Sequence, residues 1–113
     1  MLFRSLELTQ ADRAELARLV AQAPESRIVI THGTDTMTDT AKALAGIAGK
    51  TIVLTGALSP ARFAETDAPF NLGMAFAAAQ VAPPGVYIAM SGQVFDGLAV
   101  RKDRAAGRFV GLD

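Results

Sequence analysis

Three short and uninterrupted apolar runs, rich in β-branched residues, limit the folds that this 113-residue chain can form. They are RIVIT (27–31), TIVLT (51–55) and VYIAM (86–90). A strand that is buried on both faces has this unbroken apolar character, whereas a strand with one face in water alternates apolar and polar residues. The runs therefore predict strands from the interior of a parallel sheet.

Helical patterns separate the three runs. The first pattern follows a T-x-x-D capping box at residues 9–12, the second begins near Thr36, and the third begins near Asp67. Apolar residues of the third pattern recur at i, i+3, i+4, i+7, i+8 and i+11, which predicts a helix. They are Phe70, Gly73, Met74, Ala77, Ala78 and Val81.

The alternation of strand and helix predicts an α/β fold in three layers, a parallel sheet with helices on both faces, as in flavodoxin-like and Rossmann-like proteins. We expect a single domain over residues 1–113. After the third run, Asp96-Gly97 between two short apolar stretches predicts a β-hairpin. Ligands of such sheets bind beyond the carboxyl ends of the strands, so residues 31–36, 55–57 and 91–92 form the expected functional rim.

The composition argues against several classes of partner. Lys plus Arg and Asp plus Glu are 11 each, so the net charge is zero, and there is no cysteine. We expect no nucleic-acid or membrane partner, no metal and no disulfide. The amino terminus lacks the apolar core of a signal peptide, and a cytoplasmic location is expected. The basic residues of the tail predict a solvated edge; they are Arg101, Lys102, Arg104 and Arg108.

The rim stretch THGTDT (31–36) has two interpretations. In one, Thr34 is a catalytic hydroxyl, Asp35 orients it, and His32 is a base. In the other, T-D-T is an ordinary helix cap and His32 is a hydrogen-bonded scaffold residue. Spacing alone favours the cap and the scaffold, and it leaves the catalytic interpretation open.

Longer stretches resemble a known family. VITHGTDTMTDTA resembles the second active-site motif of the bacterial-type L-asparaginases, and VLTGAL resembles the strand and loop that follow it. TDAPFNLGMA, GVYIAMSGQVFDGLAVRK and RSLELT resemble the family's helix start, its lysine-bearing segment and its substrate-binding serine segment. The resemblance covers nearly the whole chain. It is greatest to short asparaginase-like proteins that end after R-K-x-R-x-x-G-R-F and lack the family's C-terminal domain.

The resemblance implies an amidohydrolase that converts L-asparagine to L-aspartate and ammonia without a cofactor. Thr34 matches the second catalytic threonine, Asp35 matches the aspartate that binds the substrate's α-ammonium, and Lys102 matches the lysine that tunes Thr34. The substrate-binding positions implied are Ser5, Gly33, Asp35 and Ala57.

One motif of the family is missing. The family's first strand ends in T-G-G-T-I with a nucleophilic threonine, and this sequence contains no T-G-G-T; its one tyrosine, Tyr87, lies in a predicted strand. We therefore expect an N-terminally truncated or degenerate asparaginase N-terminal domain that is inactive by itself. The alternative function is a non-catalytic amino-acid-binding or interaction module. A sheet that lacks this central strand should also expose strand edges and apolar helix faces, which predicts a homodimer.

The catalytic interpretation makes a geometric prediction. Lys102 Nζ should lie within about 6 Å of Thr34 Oγ1, inside the range of strong pairing, with Asp35 beside them. Thr36 should be the N-cap of the second helix, with its hydroxyl near the backbone amide of Asp39. His32 should make a structural hydrogen bond away from the pocket.

Overall fold

A computed structural model describes residues 2–4, 9–58 and 66–112 of the chain. These ranges contain seven strands and three helices. The strands are β1 (Leu2–Arg4), β2 (Arg27–Thr31), β3 (Thr51–Thr55), β4 (Gly85–Met90), β5 (Gln93–Asp96), β6 (Val100–Asp103) and β7 (Arg108–Gly111). The helices are α1 (Gln10–Gln22), α2 (Met37–Leu44) and α3 (Ala68–Val81).

The main sheet contains β1 to β5 in chain order, and β6 and β7 form a separate ribbon. Strands β1 to β4 are parallel, and β5 is added antiparallel to β4. The predicted α/β fold is confirmed, and β5 completes the sheet as an antiparallel edge strand. Strand β1 pairs directly with β2, with Leu2 opposite Val29, so the five strands of the main sheet are neighbours in chain order.

Alternate residues of the buried strands build two different cores. On one face, α1 and α2 pack against large side chains, which include Ile28, Ile30, Ile52, Leu54, Ile88 and Met90. On the other face, the alanines of α3 pack against small ones, which are Val29, Val53 and Ala89. Helices therefore cover both faces, as predicted. Within the described ranges, no helix is long and apolar enough to span a bilayer.

The helix arrangement requires a connection of unusual hand. Because the parallel strands follow chain order, the connections through α1 and α2 cross the same face and share one hand. The connection through α3 crosses the opposite face in the same direction, so its hand is opposite. The described sheet therefore combines connections of both hands, whereas about 98% of such crossovers share one hand. This arrangement leaves α3 as the only described helix on its face of the sheet.

The predicted third helix is confirmed as α3, but of the residues that show its period only Ala78 is buried. Phe70 is 66% exposed and Val81 is 83% exposed. The residues that α3 buries are Asn71, Ala75, Ala78 and Ala79. Only small side chains let the helix approach the small residues of the sheet closely, and this selects the alanine face. Periodicity could not select it, because the helix is apolar on nearly all sides.

The predicted Asp96-Gly97 hairpin is also wrong. Strand β5 pairs with β4, and β6 pairs with β7, so the two strands beside Asp96-Gly97 are not partners. The true hairpin turn is Ser91-Gly92, where φ is positive at both residues (56° and 76°), as a two-residue turn of the I′ type requires. At Gly97 the chain instead donates a backbone hydrogen bond to the Val86 carbonyl at 2.8 Å.

The capping box of α1 is confirmed. Asp12 N donates to Thr9 Oγ1 at 3.1 Å, and Thr9 N donates to Asp12 Oδ2 at 3.0 Å. These reciprocal bonds satisfy amide groups that the first turn of a helix leaves without partners.

Candidate functional site

Two loops follow the carboxyl ends of adjacent strands. The first rim loop, residues 32–36, follows β2, and the second rim loop, residues 56–58, follows β3. They lie side by side, because His32 N donates to Thr55 O at 2.9 Å. This position agrees with the rim that the strand pattern predicts.

The β6–β7 ribbon brings Lys102 to the first rim loop. Val100 and Phe109 are almost fully buried and join the larger core. Lys102 lies two residues from Val100 and opposite Phe109 in the ribbon, so it shares their side. Phe109 N also donates to Ser91 Oγ at 3.0 Å, which fixes the ribbon against the turn after β4.

Three side chains converge at the first rim loop. Lys102 Nζ lies 2.8 Å from Thr34 Oγ1 and 2.8 Å from Asp35 Oδ1. Thr34 and Lys102 are 68 positions apart in sequence, so the predicted proximity is confirmed. The Lys102 side chain is 19% exposed, whereas that of Asp35 is 67% exposed. A partly buried lysine thus joins a hydroxyl to a solvent-facing carboxylate.

A second cation reaches the same carboxylate. Arg104 Nη1 lies 2.7 Å from Asp35 Oδ1. The hydrogen bond from Lys102, followed by that from Arg104, lowers the pKa of Asp35, and the carboxyl group is therefore ionised at neutral pH. The solvated edge predicted for the basic tail is thus wrong for Lys102, which is partly buried, whereas Arg104 is exposed and also pairs with Asp35.

His32 is a hydrogen-bonded structural residue, which is the interpretation that the sequence spacing favours. It is only 4% exposed, with Nδ1 at 2.6 Å from Gly33 O and Nε2 at 2.7 Å from Thr40 Oγ1. Because a carbonyl only accepts, Nδ1 carries the proton, and Nε2 of the neutral ring accepts from the Thr40 hydroxyl. Burial lowers the pKa of His32 and favours this neutral form. The side chain fastens the first rim loop to α2.

Thr36 occupies the N-cap position of α2, but the predicted hydroxyl cap is wrong. Its side chain makes no capping hydrogen bond. The backbone carbonyl of Thr36 accepts from Asp39 N at 3.1 Å and from Thr40 N at 3.2 Å. With φ −120° and ψ 15°, Thr36 lacks the extended conformation from which a side chain usually caps.

The second rim loop is held by polar groups of α3 and its N-cap. Asn71 Nδ2 donates to Gly56 O at 2.9 Å, and Asp67 Oδ2 accepts from Leu58 N at 3.0 Å. Asn71 Nδ2 also lies 2.9 Å from Asp67 Oδ2, which joins the two supports. Neither role was predicted from the sequence. The available signal was Asn71 itself, one of only two polar residues in α3, which the structure shows to be buried (1% exposed).

The predicted substrate-binding positions are spread along this rim. Gly33 is exposed in the first rim loop, and Ala57 is half-buried in the second. In the described part of the chain, no hydrogen bond engages the Ala57 carbonyl. Ser5 lies outside the described residues. Among the residues described, no group of three or more His, Cys, Asp or Glu side chains could hold a metal ion.

An ionised carboxylate, a lysine and a threonine hydroxyl thus lie together at the rim of an α/β sheet, the edge at which such sheets usually bind ligands. A family model described as "Asparaginase, N-terminal" matches residues 1–109. The chain therefore belongs to the asparaginase family.

Individual relatives agree with this result. The chain is 39% identical over 83 residues to an L-asparaginase of Thermococcus kodakarensis, 36% over 107 residues to a glutaminase-asparaginase of Acinetobacter glutaminasificans, and 42% over 79 residues to L-asparaginase 2 of Escherichia coli. The matches cover 71%, 87% and 66% of this chain, but only 25%, 32% and 23% of the relatives. The chain thus spans about a quarter to a third of the length of these proteins.

Proposed function

We propose that this chain carries part of the active site of an asparaginase-type amidohydrolase that converts L-asparagine to L-aspartate and ammonia. The observation that supports the proposal most is the contact of Lys102 with both Thr34 and Asp35. These residue types suit a zwitterionic amide substrate, because the substrate's ammonium needs an anion and amide cleavage needs an activated hydroxyl.

Each residue has a proposed role. Asp35 binds the α-ammonium group of the substrate, and Ser5 and Gly33 lie at its α-carboxylate group. The Ala57 carbonyl accepts from the side-chain amide. Hydrolysis adds one water, breaks the amide C–N bond and releases ammonia. Lys102 donates to Thr34 in the structure, which leaves the Thr34 proton available to another acceptor.

The lack of a T-G-G-T segment limits what the 113 residues can do. We propose that the chain by itself has little or no asparaginase activity, and that a chain extended upstream with the T-G-G-T strand of a relative is active. Ammonia release from L-asparagine tests this, with Thr34→Val in the extended chain as the matched variant. Equal rates from the extended and unextended chains would contradict the proposed need for that strand. Full activity in Thr34→Val would contradict the role of Thr34.

The alternative proposal is a non-catalytic module that binds amino acids or a partner. The lack of the T-G-G-T segment favours it, because a pocket can remain without its first nucleophile. L-Aspartate binding by the unextended chain, with no ammonia release from either the unextended or the extended chain, would support this alternative. Ammonia release by the unextended chain would exclude it.

We also propose that residues 1–113 form a single domain that assembles into a cytoplasmic homodimer. The supporting observation for dimerisation is the outer face of α3, where Phe70 and Val81 are exposed and no charged residue occurs along the helix. Sedimentation of the wild type and of Val81→Lys tests this. The wild type should be a dimer at micromolar concentration and the variant a monomer, whereas a monomeric wild type would contradict the proposal.

A further inference from the structure

Arg104 has an unexplained position at the first rim loop. It lies in the turn between β6 and β7, where Asp103 Oδ1 accepts from Ala106 N at 3.0 Å and closes the turn. From there its guanidinium reaches across to Asp35 Oδ1 at 2.7 Å. The contact spans 69 positions of sequence, so the turn and the ribbon have to be placed correctly to produce it.

The contact changes the charge of the site. Lys102 and Arg104 are two cations on one oxygen of a single carboxylate, which leaves one net positive charge before any ligand arrives. An incoming α-ammonium would add a third cation around Asp35. Like charges at such distances repel, and the repulsion opposes ammonium binding while Arg104 stays in place.

The same arrangement favours a different kind of ligand. A dicarboxylate without an ammonium group meets two cationic side chains and brings no charge that competes for Asp35. The Arg104 side chain is 66% exposed, and exposed ion pairs are weak and easily exchanged. Arg104 can therefore leave the carboxylate when a better partner binds, at a modest loss of affinity.

We propose that Arg104 is a specificity-determining residue that competes with the substrate's α-ammonium for Asp35. Without a ligand, Arg104 pairs with Asp35 through an exchangeable ion pair. With a ligand, it shifts the preference of the site from amino acids toward dicarboxylates. The inference rests on the proposed function, because it takes Asp35 as the group that binds the ammonium.

The test compares two ligands in four proteins. L-Aspartate and succinate differ only by the ammonium group, and their dissociation constants are measured by titration calorimetry with the wild type, Arg104→Ala, Arg104→Gln and Arg101→Ala. Arg101 is the matched control: it lies on the same ribbon, carries the same charge, is 58% exposed, and pairs with Asp103 at 3.9 Å instead of Asp35.

Arg104→Ala should bind L-aspartate about threefold more tightly and succinate about threefold more weakly, an effect of the size expected for one exposed ion pair. Arg101→Ala should leave the ratio of the two constants unchanged. Arg104→Gln, which keeps most of the side-chain volume, should behave like Arg104→Ala.

An unchanged ratio in Arg104→Ala, with clear binding by the wild type, would overturn the inference and leave the proposed function intact. An equal weakening of both ligands would overturn it too, since that pattern indicates only general attraction of anions. If the wild type binds neither ligand, the proposed function fails together with the inference.

Discussion

The two rim loops lie side by side but are constructed differently. The first rim loop presents side chains, Thr34 and Asp35, and it needs a cation from a distant ribbon to complete its cluster. The second rim loop presents backbone, and buried polar groups of the helix that follows it hold that backbone. Side chains of an exposed loop can still reach a ligand, whereas backbone carbonyl groups can do so only if the backbone of the loop is held in place.

The difference predicts different responses to mutation. Changes in the second rim loop should reduce stability, because its supports are buried and their loss leaves polar groups without partners. Changes in the cluster of the first rim loop should alter ligand binding with little effect on stability, because Asp35 and Arg104 are exposed.

The largest expected effect is at Gly56. An added β-carbon there would overlap the carbonyl oxygen of His32 and would lie 3.2 Å from Met37 Cε. Because backbone would have to move, Gly56→Ala should lower the free energy of unfolding by about 3 kcal/mol. Gly73→Ala is the matched control, since nothing lies within 4 Å of its added β-carbon; it should be neutral or stabilising. Equal effects in urea denaturation would contradict the tight contact between the two rim loops.

The second largest loss in the free energy of unfolding is expected for Asn71→Ala. The substitution removes the donor to Gly56 O and to Asp67 Oδ2 in a buried position, with an expected loss of about 2 kcal/mol in the free energy of unfolding. Gln80→Ala on the same helix removes an exposed amide that donates to Phe76 O, and it should cost less than about 0.5 kcal/mol. Equal losses in the two variants would show that Asn71 does not support the second rim loop.

The stability that His32 contributes at the first rim loop should depend on pH. Burial lowers the pKa of His32 below its ordinary value of 6.5, so the unfolded state takes up a proton more readily than the folded state. The stability contributed by neutral His32 is therefore present above about pH 6.5 and is lost as pH falls, with a slope of at most about 1.4 kcal/mol per pH unit. His32→Gln should remove this component between pH 7.5 and 5.5. An identical slope in the variant and the wild type would contradict it.

The smallest expected difference concerns the helix caps. Thr9→Ala should cost about 1 kcal/mol in the free energy of unfolding, because it removes the hydroxyl that accepts from Asp12 N. Thr36→Ala should cost clearly less, because the Thr36 hydroxyl makes no capping bond. Thermal unfolding of the two variants at pH 7 measures the difference, and a larger loss for Thr36→Ala would be the contrary result.

The parts of the fold that sequence predicts well are those with an unambiguous local signal. The predicted strands 27–31 and 51–55 coincide with β2 and β3, because burial on both faces produces continuous apolar runs. The α1 capping box is similarly local. The meeting of Lys102 with Thr34 was predictable only through the family resemblance, since spacing alone does not bring the ribbon back to β2.

The failures have physical causes. Apolar residues surround α3, so its period does not reveal that the alanine face, and not Phe70 and Val81, meets the sheet. Asp96-Gly97 has hairpin composition, but Ser91-Gly92 forms the turn because β4 continues directly into β5. The contact of Arg104 with Asp35 depends on how the ribbon packs, which no local pattern contains.

The most direct test of the account measures L-aspartate affinity by titration calorimetry in the wild type, Asp35→Asn and Asp39→Asn. Both substitutions remove one exposed negative charge near the amino end of α2, but only Asp35 contacts Lys102 in the structure. The account predicts a loss of about tenfold or more for Asp35→Asn, as expected when a charge-assisted hydrogen bond is lost, and no change for Asp39→Asn. Equal affinities in all three proteins, or equal losses in both variants, would contradict the claim that the Thr34–Asp35–Lys102 cluster is an amino-acid site.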